Sequence, residues 1–347
     1  MLAARKLPSR AVVKRSLAVP SESSGYAYAH RIIYTVCCLA GCSSLVDDAR
    51  DNLVNGGVHS AIEAHNTPVL FDWMVRAFSF QGIADAIAAD YMDRHGALTW
   101  AAITADLGAG PACSKLQSYW QFHDCGYRKG SGTCNEPELL SGCPLPKHLL
   151  RNGRLNQTAY SLFLFIRDIA DGDLVGWIDR QLAEADDRTD PDRITRMTER
   201  LVGPLRQIYG VSDKVVMMTL SSLLLTSDKT IWSEVGASMI AVDTLVHNFM
   251  HRTGILHRLG ANHPYGAACY RPNGCADIIR TVSTRIDARP FNRTFPQAFP
   301  RFVQLAIWHY CAQGYLNICN GNRIDDRQAC QNRYCQLYPQ CDRKSLI

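Results

Sequence analysis

Residues 199–256, ERLVGPLRQIYGVSDKVVMMTLSSLLLTSDKTIWSEVGASMIAVDTLVHNFMHRTGIL, decide the fold. Leu201, Leu205 and Ile208 recur at helical spacing and run into Tyr209-Gly210-Val211-Ser212-Asp213, a glycine turn. Lys214 then opens a second apolar run, Val215 to Leu225. Helix, glycine turn and helix make a hairpin of two helices. Its turn offers backbone N–H groups and a helix N-terminus, which suit a phosphate oxygen. Further on, Asp243 precedes a third helical run carrying Leu245, Phe249 and Met250, so its carboxylate is placed as an N-cap.

The rest of the chain is consistent with an all-α protein. Its 347 residues are enough for one large domain or two lobes, and 47% hydrophobic with 20% charged residues is a globular composition. No alternation of the strand type is long enough to argue for a sheet. No run of 18 apolar residues exists, so no membrane span is expected. The net charge of +5 is compatible with nucleic acid without requiring it.

Residues 1–25 read as a basic, disordered tail. Leu39-Ala40-Gly41-Cys42 would fit a lipoprotein cleavage box, but the apolar run before it, Ile32–Ala40, is short and starts late for a signal peptide. A first core helix is the better reading. Residues 26–192 then form a helical lobe, interrupted at Asn55-Gly56-Gly57 and at Asp171-Gly172-Asp173. Residues 193–256 hold the hairpin and the Asp243 segment, and 257–347 the carboxyl-terminal helices and a cysteine loop.

Fourteen cysteines ask for an explanation, and without export they point to metal or free thiols. Cys319, Cys330, Cys335 and Cys341 follow a helical stretch, 301–318, and could bind a [4Fe–4S] cluster, with zinc as the alternative. Arg323, Arg327, Arg333 and Arg343 interleave them, giving either a DNA-facing or a simply solvated basic surface. Cys113, Cys125, Cys134 and Cys143 lie in an irregular insertion, 108–155, and could bind a second metal or stand as independent thiols. The aromatic residues of that insertion, Tyr119, Trp120, Phe122 and Tyr127, suit either base stacking or a small core of their own. His263, Cys269 and Cys275, in a loop-rich segment from 257 to 300, form part of a metal site or an ordinary surface loop.

The hairpin Gly210-Val211-x-x-Lys214, the segment Val242-Asp243-Thr244, the Arg252-Thr253-Gly254 that follows and the terminal cysteines together resemble the helix-hairpin-helix DNA glycosylases of the endonuclease III type. The resemblance covers residues 195–343 well and 70–105 weakly. It implies a two-lobed helical fold in which Lys214 attacks the sugar C1′ and forms a Schiff base, assisted by Asp243. It also implies phosphate contact at Gly210, Val211 and Ser212, and a structural [4Fe–4S] cluster on the last four cysteines. Gln81 corresponds to the side chain that fills the gap left by a flipped-out base. The partner is then double-stranded DNA with a damaged or mismatched base, and the activity is base excision with an abasic-site lyase step. A monomer in the cytoplasm, associated with the nucleoid, is the expected context. The chain departs from the pattern in having Ser212 for a second glycine and Leu245 for a histidine. Asp243 also follows Lys214 by 29 residues, so Leu225–Ser238 is expected to carry an inserted loop. A catalytically silent DNA-binding protein with a structural or redox-sensing cluster is the alternative.

Overall fold

The computed structural model describes residues 24–41, 44–79, 85–96, 98–148, 155–321 and 324–347. Among them the chain is helical throughout, with no strand and one isolated bridge, Arg128 to Thr133. No helix is long and apolar enough to cross a membrane. Most of the basic tail, the residues around Gln81, Cys42 and Arg323 lie outside the described residues.

The helices in chain order are α1 (Ser24–Leu39), α2 (Leu45–Asn55), α3 (Val58–Glu63), α4 (Thr67–Phe78), α5 (Asp85–His95) and α6 (Trp100–Gly108). The insertion contributes α7 (Tyr119–Phe122) and short 3-10 turns. Then come α8 (Leu155–Asp168), α9 (Leu174–Ala185), α10 (Arg193–Leu205), α11 (Asp213–Thr226) and α12 (Thr230–Ser238). The last four are α13 (Thr244–Arg252), α14 (Ile255–Arg258), α15 (Cys275–Ser283) and α16 (Pro300–Cys311).

Local chemistry sets the breaks. Gly57 takes φ +73° between α2 and α3, a conformation without steric cost only for glycine. Between α8 and α9 the chain turns through Gly172 at φ +77°, and Asp173 caps α9 by accepting the Gly176 N–H at 2.9 Å.

Two apolar cores result. One is built around α11, which packs on α2, α4, α10 and α12, and it extends through α8 and α9. The other gathers α13, α15 and α16 with α1, from the far end of the chain. Ile32, Ile33 and Val36 of α1 are fully buried there, so the short apolar run near the amino terminus is a core helix. Tyr28 ties it down by donating to the Thr253 carbonyl at 2.5 Å.

Three expectations need correction. Leu225–Ser238 does not hold a loop: after the turn Ser227-Asp228-Lys229 it forms α12, which lies along α11. Its Trp232 is fully buried and donates to Asp179 of α9 at 2.7 Å. The segment from 257 to 300 contains α15, whose Ile278, Ile279 and Val282 share a buried face. The helix starting near residue 301 ends at Cys311, not at 318. In the insertion, Tyr119, Phe122 and Tyr127 join the first core and only Trp120 remains largely exposed, at 61%.

Trp232→Ala removes a buried indole and leaves Asp179 without one of its donors. It is expected to destabilise the chain by about 3–5 kcal/mol, read as a lower urea midpoint at an unchanged slope.

Candidate active site and cysteine centres

Gly210 adopts φ +75° and closes the turn between α10 and α11. The turn is pinned to α8 from both sides. Ser161 accepts the Tyr209 N–H at 3.0 Å, and Thr158 donates to the Tyr209 carbonyl at 2.7 Å. Tyr209 also meets the Phe122 ring of the insertion edge-on. Val211 is half-buried against the first core, and Ser212 is the exposed, extended N-cap of α11, with no side-chain capping bond. The N–H groups that open α11 have no acceptor within their own helix, so the turn can present donors to an anion. Asp213, an acid next to Lys214, is engaged by Arg206, and Asp228, another rival acid, pairs with Arg50.

Lys214 lies in the first turn of α11 and is half-buried. Across the junction of the two cores it faces Asp243, whose charged form it favours. Asp243 is the N-cap of α13 and accepts the Val246 N–H at 2.9 Å. Burial dominates its titration and raises its pKa above the ordinary carboxylate value, while Val246, Lys214 and the Trp308 side chain pull it back. The lysine and the aspartate of the sequence reading thus influence each other through space, with no ion pair formed between them. Gln81 falls outside the described residues, so its placement adds nothing to the site. Sequence reasoning missed Trp308 and Arg301 of α16. The Trp308 side chain favours the charged form of Asp243, and burial lowers the Arg301 guanidinium to about 10 against the pull of Tyr270 and Asp243. Nothing in the local pattern around residue 301 or 308 announces contact with residue 243.

Below the first turn of α13, His247 meets three residues of the following loop. Its Nδ1 stands 3.6 Å from Cys269 Sγ and 3.5 Å from Cys275 Sγ, and His263 Nε2 is 3.4 Å from Cys275 Sγ. All four ligand atoms lie within 4.8 Å of one another, so the group could hold a metal ion. The expectation of a surface loop at His263, Cys269 and Cys275 is thus corrected: both thiols are fully buried. His247 was missed because it comes from a different helix.

Cys319, Cys330, Cys335 and Cys341 together line one small cavity of about 20 Å³. They influence one another through space without sulfur–sulfur contact. Each thiolate of a [4Fe–4S] cluster binds a different iron, so wide spacing fits a cluster better than one ion. Two further features fit a group of net negative charge. Arg252 and Arg343 both line the space, and the buried Nη1 of Arg252 and Nε of Arg343 have no hydrogen-bond partner. Backbone N–H groups also point at the sulfurs, from Asn332 to Cys330 at 3.5 Å and from Arg343 to Cys341 at 3.4 Å. Cys311 sits beside Cys319 but does not line the space. Cys113, Cys125, Cys134 and Cys143 converge in the same manner around a cavity of about 20 Å³ in the insertion. The cysteines of these three groups form no disulfide.

The loop after Cys341 docks on the end of α13. The Lys344 N–H donates to the Arg252 carbonyl at 2.8 Å, and Arg258 grips Asp342 with two bonds of 2.8 and 2.6 Å. Asp342 packs so tightly on Gly254, at φ +83°, that a Cβ there would lie 2.1 Å from its carboxylate.

A scan against protein-family models, a search of curated proteins and a search of solved structures each find no match to this chain.

Because the folded chain holds Asp243 at a raised pKa, it retains a proton there that the unfolded chain has lost. Stability from this group is full below the unfolded value, about 3.9, and falls as pH rises through the folded one. Asp243→Asn keeps an N-cap acceptor without the buried charge. At pH 7.5 it is expected to equal wild type or exceed it by up to about 1 kcal/mol, with the advantage gone at acid pH. Urea melts at the two pH values check this.

Proposed function

We propose that this chain is a base-excision DNA glycosylase with abasic-site lyase activity, acting on double-stranded DNA that carries a damaged or mismatched base. The observation that carries the reading is the partly desolvated carboxylate of Asp243, whose charge is favoured by Lys214, the lysine that opens the second helix of a glycine hairpin. Flipping brings C1′ of the target nucleotide to this pair, and the hairpin turn takes a neighbouring phosphate. An ammonium has no lone pair, so attack needs the neutral amine. A raised-pKa carboxylate is a suitable acceptor for the proton it gives up, and it stabilises the oxocarbenium character that develops at C1′.

The Lys214 nitrogen forms a bond to C1′ as the glycosidic bond breaks and the base leaves with the bonding electrons and a proton. Ring opening gives the protonated imine. Loss of a C2′ proton then expels the 3′ phosphate by β-elimination, and water releases the lysine.

The thiols of Cys319, Cys330, Cys335 and Cys341 would hold a [4Fe–4S] cluster, with zinc as the less fitting occupant. The cluster supplies cross-linking to a loop with few apolar residues, and that loop clasps the end of α13, whose other end is Asp243. Ser212 and Leu245, which depart from the glycosylase pattern, favour a second reading, a DNA-binding protein without chemistry.

Borohydride trapping on a duplex with one abasic site separates the two. The expected result is a covalent protein–DNA band that disappears in Lys214→Ala and forms about 10²–10⁴-fold more slowly in Asp243→Asn. Binding of the duplex without any trapped band in wild type would leave the silent protein as the answer.

A further inference from the structure

We propose that His247, His263, Cys269 and Cys275 hold one zinc ion, and that this ion fixes the helix end carrying Asp243. The distances support a single tetrahedral ion. With zinc about 2.3 Å from sulfur and 2.0–2.1 Å from nitrogen, a tetrahedral S···N edge is about 3.6 Å. The three S···N separations are 3.6, 3.5 and 3.4 Å. His263 Nδ1 lies 2.7 Å from the Ala261 carbonyl, which accepts its N–H and leaves the Nε2 lone pair facing the site, as second-shell carbonyls do for metal-bound histidine. Mixed nitrogen and sulfur ligands suit zinc, and four protein ligands close the site against substrate, so the role is structural.

The loop is built for this approach. Gly266, at φ +134°, lies in a region open to glycine alone, and a Cβ on Gly274 would come within 2.4 Å of the Ala268 carbonyl. These two turns deliver Cys269 and Cys275.

The second half of the proposal rests on the reading of Asp243 as a functional carboxylate. His247 lies one turn beyond it, with its N–H bonded to the Asp243 carbonyl at 3.0 Å. Tyr270, next to Cys269, accepts the Val242 N–H at 2.9 Å and donates to the Val242 carbonyl at 3.3 Å. The loop thus holds the backbone on both sides of Asp243, and the ion holds the loop.

The test begins with elemental analysis of the purified full-length chain. One zinc per chain is expected, displaced by a thiol-blocking mercurial and counted with a zinc-sensitive dye. Cobalt substitution is expected to give thiolate-to-cobalt charge-transfer absorption that is lost in Cys275→Ser and weakened at least tenfold under chelator in His263→Gln. A chain without zinc, a zinc content unchanged in Cys275→Ser, or a Cys269–Cys275 disulfide in the native protein would overturn the site. None of these readouts depends on DNA chemistry, so a chain that fails to trap abasic DNA can still prove the zinc. For positioning, hydrogen exchange at the Val246 and His247 amides is expected to quicken at least tenfold in His263→Gln while the α11 amides keep their rates. Unchanged exchange at those two amides after the zinc is lost refutes that half alone.

A different observation carries a second inference: the geometry points to a second [4Fe–4S] cluster on Cys113, Cys125, Cys134 and Cys143. All four thiols line one cavity, as the carboxyl-terminal four do, and neither group brings its ligand atoms close enough together to hold a single ion. N–H groups face a sulfur in both sites, Gln157 Nε2 to Cys125 at 3.8 Å here and the Arg343 N–H to Cys341 at 3.4 Å there. Anaerobic purification is expected to yield eight iron and eight sulfide per chain, falling to four of each in Cys134→Ser and separately in Cys335→Ser. Zinc lost in Cys134→Ser, or iron unaffected by it, overturns the assignment.

Discussion

A carboxylate withdrawn from water at the start of a nine-residue helix is the constraint on which this structure turns. Asp243 satisfies the α13 N-terminus, yet burial works against its charge. Such a group persists only where its surroundings are fixed on every side. Here Lys214 of α11, and Trp308 and Arg301 of α16, act on it from two helices. Arg206 holds Asp213 aside, so the neighbouring acid does not compete for the lysine.

α13 also explains how the cysteines are used. Its first turn abuts the His247, His263, Cys269 and Cys275 group, and its last residues receive the loop that follows Cys341. A short helix is weakly stable alone, because few internal hydrogen bonds repay its nucleation. Tertiary anchors at both ends compensate. The insertion meets the same difficulty differently. Among its described residues it has one short helix and 3-10 turns, sends Tyr119, Phe122 and Tyr127 into the first core, and brings four thiols around one space. Segments too irregular to build a core gain most from such cross-links.

Much of the helical layout was legible in the sequence because it depends on local chemistry. The breaks at Gly56-Gly57 and at Asp171-Gly172-Asp173, the hairpin glycine and the N-cap role of Asp243 all rest on contacts within a few residues. α12 was misread as a loop because its polar turn, Ser227-Asp228-Lys229, masked the apolar spacing of Ile231, Trp232 and Val235 behind it. α15 was hidden by the prolines and glycines that precede it.

What the sequence by itself determined is therefore the all-helical class, the hairpin and the two four-cysteine groupings, since periodicity, glycine turns and cysteine spacing are written along the chain. Only the tertiary structure decided that α1 completes the carboxyl-terminal core, that His247 joins His263, Cys269 and Cys275, and that Trp308 reaches Asp243. Those contacts join residues from 16 to more than 200 positions apart, and their partners are chosen by how buried faces pack, which no local pattern encodes.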